Sequence, residues 1–273
     1  MSSTKQFVTP AVPKIRFRQI ALPTEHGGWG LLFESLIAGL AIALSPAAPW
    51  IALMTVGAFL TRQPLRIFIL DRMGMRVKER SIAALKFIGL FSSIFFIGAA
   101  GTLYTIHIAA LTPFLLIVPL AAMQMYWDVN RKSRELIPEL SGAISMSSSI
   151  AVIALAAGMS STTAAALWIL FVSRGIPSIL YVRERLKLEK GKHFSRSLPT
   201  IAHIAALIGV AILVYNRLLP YLVIFAMAIL LIRTVSGLSP RRRKLKAMQI
   251  GIREVIYGTM IVLSLIVGHY CGF

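Results

Sequence analysis

Nine apolar stretches recur along the chain, at 28–44, 49–70, 81–101, 103–125, 136–158, 162–181, 198–215, 218–235 and 248–269, with polar segments between them. Each comes close to the roughly 20 residues that carry a helix across a bilayer core. Stretches of this length in lipid must be helical, because only a helix pairs all its own backbone groups there. The pattern predicts an all-α polytopic membrane protein of nine transmembrane helices. A basic N-terminal tail, 1–20, precedes a nine-helix domain, 21–273.

The polar segments are of two kinds. Those at 45–48, around Gly101, at 158–161 and at 216–217 are short, and the intervening ones are longer and basic. Of 29 Lys and Arg residues, 28 fall in the N-terminal tail and the even-numbered loops or the helix ends beside them; Arg217 alone falls on the other side. Lys and Arg resist translocation, so the basic side is cytoplasmic, with the N-terminus inside and the C-terminus outside. Most non-helical material, and with it any chemistry, is expected on that face. The first twenty residues contain no apolar stretch, so the first span is expected to serve as the insertion signal.

Composition fits this picture. The chain is 57% hydrophobic and 14% charged, against about 25% charged in a soluble domain, and 273 residues leave no room for a separate soluble domain. A net charge of +19 would point to nucleic acid in a soluble protein. Here topology and anionic headgroups account for it, so the expected partners are membrane lipids and not nucleic acid. One cysteine, Cys271, excludes a disulfide framework within the chain and a cysteine-based metal site.

Charges within the spans are the first candidates for function. Arg62-Gln63-Pro64 with Arg66, and Arg174-Gly175-Ile176-Pro177 with Arg183, occupy corresponding parts of spans two and six. Arg62 and Arg174 come about 12 residues, or roughly 18 Å, into helices that start outside, below the inner surface of a core about 30 Å thick. Each is followed by a proline that loosens the helix. Arg233 lies at similar depth in span eight, with Glu34 and Glu254 as ion partners from spans one and nine. Arg62, Arg66, Arg174 and Arg233 outnumber Glu34 and Glu254, and a surplus of guanidinium suits a phosphate or carboxylate ligand. The plainer reading is that these arginines snorkel to the headgroups.

Two further segments carry polar chemistry. Pro23-Thr24-Glu25-His26-Gly27-Gly28-Trp29-Gly30 opens span one, with Thr24 as a helix cap and Trp29 at the interface. Glu25 and His26, with Glu34, are the candidates for moving protons, since a histidine beside a carboxylate can exchange them near neutrality. In the fourth loop, Glu135 and Glu139 share a helix face and could hold Mg²⁺. Compensation of the helix dipole is the simpler role for them. Ser141, Ser145 and Ser147 to Ser149, with Gly142, predict tight helix packing.

Pro23-x-Glu25-His26-Gly27-x-Trp29, Arg62-x-Pro64-Leu65, Pro138-Glu139-Leu140-x-Gly142 and Arg174-Gly175-Ile176-Pro177-Ser178 with Tyr181-Val182-Arg183 together resemble the YwiC-like family of bacterial integral membrane proteins. That resemblance implies a multi-pass protein of the bacterial cytoplasmic membrane and brings no mechanism. More distantly, nine helices with polar motifs on the inner parts of helices two and six look like the UbiA prenyltransferase superfamily, as do Tyr126 and Arg131-Lys132 in the fourth loop. Those enzymes hold an isoprenoid diphosphate through Mg²⁺ on aspartate-rich motifs. This chain has only Asp71 and Asp128 and no Asp-x-x-x-Asp, so no cofactor is expected, and Mg²⁺ only as far as the UbiA analogy holds.

Three functions compete. The first is binding, with or without processing, of an anionic amphiphile such as a polyprenyl phosphate or a quinone precursor. It would occupy a cytoplasm-facing cavity formed by Arg62, Arg66, Arg174, Arg183, Arg233 and Tyr126. The second is transport of small anions or lipids, which needs an outer opening that the nearly apolar outer turns do not provide. The third is an accessory role in a membrane complex, with the arginines paired to Glu34 and Glu254.

Overall fold

The computed structural model describes residues 17–23, 26–74 and 78–272. The elements are α1 (Phe17–Ala21), α2 (His26–Ile42), α3 (Ala48–Met73), α4 (Lys78–Thr105), a 3₁₀ turn (Ile108–Leu111), α5 (Thr112–Val129), α6 (Leu136–Ala156), α7 (Ser161–Glu189), α8 (Ser197–Tyr215), α9 (Leu222–Gly237) and α10 (Ala247–Cys271). Among the described residues there is no strand.

Seven of these helices are long and apolar enough to cross a membrane: α3 to α8 and α10, with α5 reaching that length through the 3₁₀ turn before it. α2 and α9 are apolar but shorter. The nine expected spans therefore appear as seven of spanning length and two short ones.

The differences at the edges have local causes. α9 starts four residues later than the apolar run (218) because Arg217 turns in the left-handed region (φ 58°) and Pro220 disfavours helix in the residue before it. α6 stops at Ala156 ahead of Gly158, whose φ of 83° suits a residue without Cβ. α7 runs well past the expected end at 181. Its polar extension is held by Lys187–Glu184 at 2.6 Å and Arg185–Glu189 at 2.8 Å, pairs at i,i+3 and i,i+4 that face each other on a helix. Neither Pro64 nor Pro177 ends its helix. α1 was not expected; Ile20 packs with Ala83 and Ala84 of α4.

α6 is the central helix and α5 a peripheral one: 61% of the apolar window of α6 is buried, against 6% for α5. Leu32 and Leu36 of α2, Ile150 and Ile153 of α6, Leu170 and Phe171 of α7, Leu230 of α9, and Ile261 and Leu265 of α10 form the core. Helices have little hydrophobic reason to associate in lipid and depend on close packing through small residues. The serine run of α6 serves this. Ser147, Ser148 and Ser149 are buried, and the Ser149 hydroxyl lies 3.0 Å from that of Ser35 on α2. In the α3–α4 hairpin a Cβ at Gly57 would stand 2.5 Å from the Phe95 backbone nitrogen, so the two backbones approach as closely as they do only because that position is glycine.

Candidate functional site

The intramembrane charges expected from the sequence fall into three separate groups. The first lies in the core. Glu34 on α2 meets Arg174 on α7 through both oxygens, Oε2 at 2.9 Å from Nε and Oε1 at 3.0 Å from Nη2. Arg174 Nη2 also donates to the backbone carbonyl of Glu254 on α10 at 2.8 Å, and Nη1 stands 3.7 Å from its carboxylate. The other Glu254 oxygen is 3.0 Å from Arg233 Nη1 on α9. Arg233 Nη2 donates to Ser178 Oγ at 3.0 Å, and the guanidinium lies over the rings of Tyr181 and Tyr257, 4.1 and 5.2 Å from their centroids. Four helices are thus tied by two carboxylates and two guanidinium groups, all largely buried. Gly258 makes room for this, since a Cβ there would fall on the Glu34 carboxylate.

The second group joins α3 to the end of α5. Arg62 binds Asp128 at 2.6 and 3.1 Å, and Arg66 Nε donates to the Asp128 carbonyl at 3.1 Å. The third joins α7 to α6, with Arg183 donating to Glu139 Oε2 and to the Arg134 carbonyl, both at 2.8 Å. Glu135 stands at the N-cap of α6 and Glu139 in its first turn, where negative charge complements the helix dipole. Tyr126 is exposed, with its ring edge-on to Trp127. Thr24 and Glu25 lie outside the described residues, as does the side chain of His26. Among the described residues no three His, Cys, Asp or Glu side chains are grouped to hold a metal ion.

A cavity of about 400 Å³ opens beside the first group. Its walls come from the ends of α7, α9 and α10 and from the segment joining the last two. Arg233, Glu254, Tyr181 and Tyr257 of the first group line it, together with Arg185, Arg241, Arg242, Arg243 and Arg253. Arg185 is itself buried and donates to the carbonyls of Gly237 and Arg243. It thereby fixes the connecting segment over the end of α7. Gly237 allows this approach, because a side chain there would meet the Tyr181 hydroxyl. Glu189 adds a clamp, 2.8 Å from Arg185 and 3.4 Å from Arg242.

Of the arginines expected to bind ligand, only Arg233 faces this cavity; Arg62, Arg66, Arg174 and Arg183 are engaged elsewhere as described. The cavity's other arginines were read from the sequence as topology charges. Their only advance signal was the density of the Arg241-Arg242-Arg243 run, and such a run is ordinarily a solvated cytoplasmic loop.

No curated protein and no solved structure matches the chain. The likeness to the UbiA superfamily accordingly finds no support. The motif from Arg174 to Arg183 and the whole basic cavity lie beyond the stretch that a family model does match. That stretch begins before α2, ends inside α6, and takes in Glu34, Arg62, Arg66, Asp128 and Glu139: over residues 22–154 the chain matches the YwiC-like protein family.

Proposed function

We propose that this protein crosses the cytoplasmic membrane nine times, N-terminus inside and C-terminus outside, and binds the head of an anionic amphiphile in its basic cavity. One observation carries the reading: six arginines line a single cavity of about 400 Å³. That size falls within the roughly 300–1,000 Å³ of small-molecule sites.

The arginines come from three helices and their connection, and the carbonyl bonds from Arg185 hold that connection in place. Arg185, Arg233 and Arg242 are held by carboxylate partners, and guanidinium groups held in advance bind an oxyanion at less entropic cost than free side chains would. The buried pairs behind the cavity give Arg233 a fixed position, and the apolar helices offer lipid-like surroundings to a hydrocarbon tail. α9, although short, crosses in this reading by virtue of the turn before it and the basic segment after it.

The test is lipid analysis by native mass spectrometry of the detergent-purified full chain, beside Arg241→Ala/Arg243→Ala. An anionic amphiphile retained by the wild type and lost from the variant is the expected result. A wild type without bound amphiphile, or one whose lipids the variant retains equally, would overturn the reading. The alternative of a structural, accessory protein would then rest on the pairing of Arg174 and Arg233 with Glu34 and Glu254.

A further inference from the structure

We infer that the cavity selects a phosphate group carrying two or more negative charges, a phosphomonoester or a diphosphate, over a singly charged carboxylate or phosphodiester. This rests on the proposed anion-binding role of the cavity and specifies its ligand.

The charge balance around the cavity points there. Six guanidinium groups line it, and two carboxylates answer them. Glu254 takes Arg233 at 3.0 Å, and Glu189 is divided between Arg185 and Arg242. Among the described residues no carboxylate lies within ion-pairing distance of Arg241, Arg243 or Arg253. These three are exposed, two on the connecting segment and one on α10. A monoanion would leave most of this excess uncompensated.

Donor geometry points the same way. Each guanidinium presents several N–H donors in a rigid fork and no acceptor. Two forks can saturate the two oxygens of a carboxylate or the two free oxygens of a phosphodiester. A third fork needs a further acceptor, which the third terminal oxygen of a phosphomonoester or the second phosphate of a diphosphate supplies. Tyr181 and Tyr257 also line the cavity. The same chemistry could reach the cavity on a lipid or on a water-soluble phosphate.

The bland competitor is an unspecific basic patch beside the membrane, which attracts anionic lipid by net charge alone. Lys244 separates the two. It is exposed, belongs to the same segment, and does not line the cavity.

The experiment measures binding of inorganic pyrophosphate, inorganic phosphate and acetate to the full chain in nanodiscs of zwitterionic lipid. It then measures retention of phosphatidic acid against phosphatidylglycerol by native mass spectrometry. Pyrophosphate is expected to bind at least about tenfold more tightly than acetate, and phosphatidic acid to be retained over phosphatidylglycerol. Arg241→Ala, Arg243→Ala and Arg253→Ala should each weaken pyrophosphate binding by about tenfold, with Lys244→Ala close to wild type. These side chains are exposed, so the fold is expected to survive each change. Competition of phosphatidic acid with pyrophosphate would identify a lipid as the source, and undisturbed pyrophosphate binding a soluble phosphate; both support the site. Pyrophosphate and phosphate binding no more tightly than acetate would overturn the valence selectivity while leaving anion binding intact. Equal losses in Lys244→Ala and Arg243→Ala would reduce the site to an unspecific patch. No binding of any anion would remove the proposed function as well.

Discussion

Glu34 holds Arg174 with both carboxylate oxygens, at 2.9 and 3.0 Å, across 140 positions of sequence. The pair ties α2 to α7 in the middle of the bundle, where water cannot stand in for a lost partner. Removing one member of a buried pair leaves the other charged and unmatched, at a cost of about 3–5 kcal/mol. Glu34→Ala and Arg174→Ala are each expected to lose stability on that scale, read as the midpoint of unfolding in detergent. Replacing both with apolar residues, Glu34→Leu/Arg174→Met, should restore most of it. A double variant as unstable as the singles would mean that the pair's geometry, and not its charge balance, sustains the fold.

Gly258 and Gly251 lie on the same helix and should respond in opposite ways to alanine. A Cβ at Gly258 would fall on the Glu34 carboxylate and reach 2.9 Å from Arg174 Nη2, whereas one at Gly251 meets nothing within 4 Å. Alanine is better than glycine inside a helix by up to about 1 kcal/mol. Gly251→Ala should therefore be neutral or stabilising, and Gly258→Ala should destabilise by disrupting the Glu34–Arg174 pair. Thermal melts of the two variants decide the matter, and equal midpoints would contradict the packing around Gly258.

How much of this was legible in advance depended on what each residue type demands of its surroundings. Glu34 and Glu254 could be named as partners for buried arginines because a charge in lipid requires an opposite one. Asp128 could not, since it reads as part of a loop. Yet it receives both Arg62 and Arg66, leaving Arg174 and Arg233 with the two glutamates. The nine apolar helices were legible from apolar length, with ends displaced where Arg217 and Gly158 turn the backbone, whereas α1 and the polar extension of α7 carry no such signal. The cavity was hidden because Arg241, Arg242 and Arg243 carry the same charge signal whether they face solvent or close over α7. Only the Arg185 bonds to the carbonyls of Gly237 and Arg243 decide which.

Orientation rests on the distribution of Lys and Arg, and Cys271 offers a direct test. It is the only cysteine and is exposed at the end of α10. With the C-terminus outside, a thiol reagent that cannot cross membranes should label it in intact spheroplasts, as fully as after permeabilisation. Labelling only after permeabilisation would place this end in the cytoplasm and reverse the assignment of the basic loops.

Glu254 governs how strongly Arg233 can hold a ligand. Its carboxylate lies 3.0 Å from Arg233 and 3.7 Å from Arg174, while its backbone carbonyl separately accepts from Arg174. Glu254→Gln keeps the shape and that carbonyl, and Arg174 keeps its pair with Glu34. The loss therefore falls mainly on Arg233, whose charge is left facing the cavity without a counter-ion. Stability should drop by about 1–3 kcal/mol, the cost of weakening a buried charged hydrogen bond. Affinity for pyrophosphate should rise by about tenfold as the ligand becomes the only anion within reach. Adding Arg233→Ala should abolish that gain, which separates a direct role of Arg233 from a general loosening of the bundle. Unchanged affinity in a folded Glu254→Gln protein would mean that Arg233 belongs to the scaffold alone, with the ligand held by Arg241, Arg243 and Arg253.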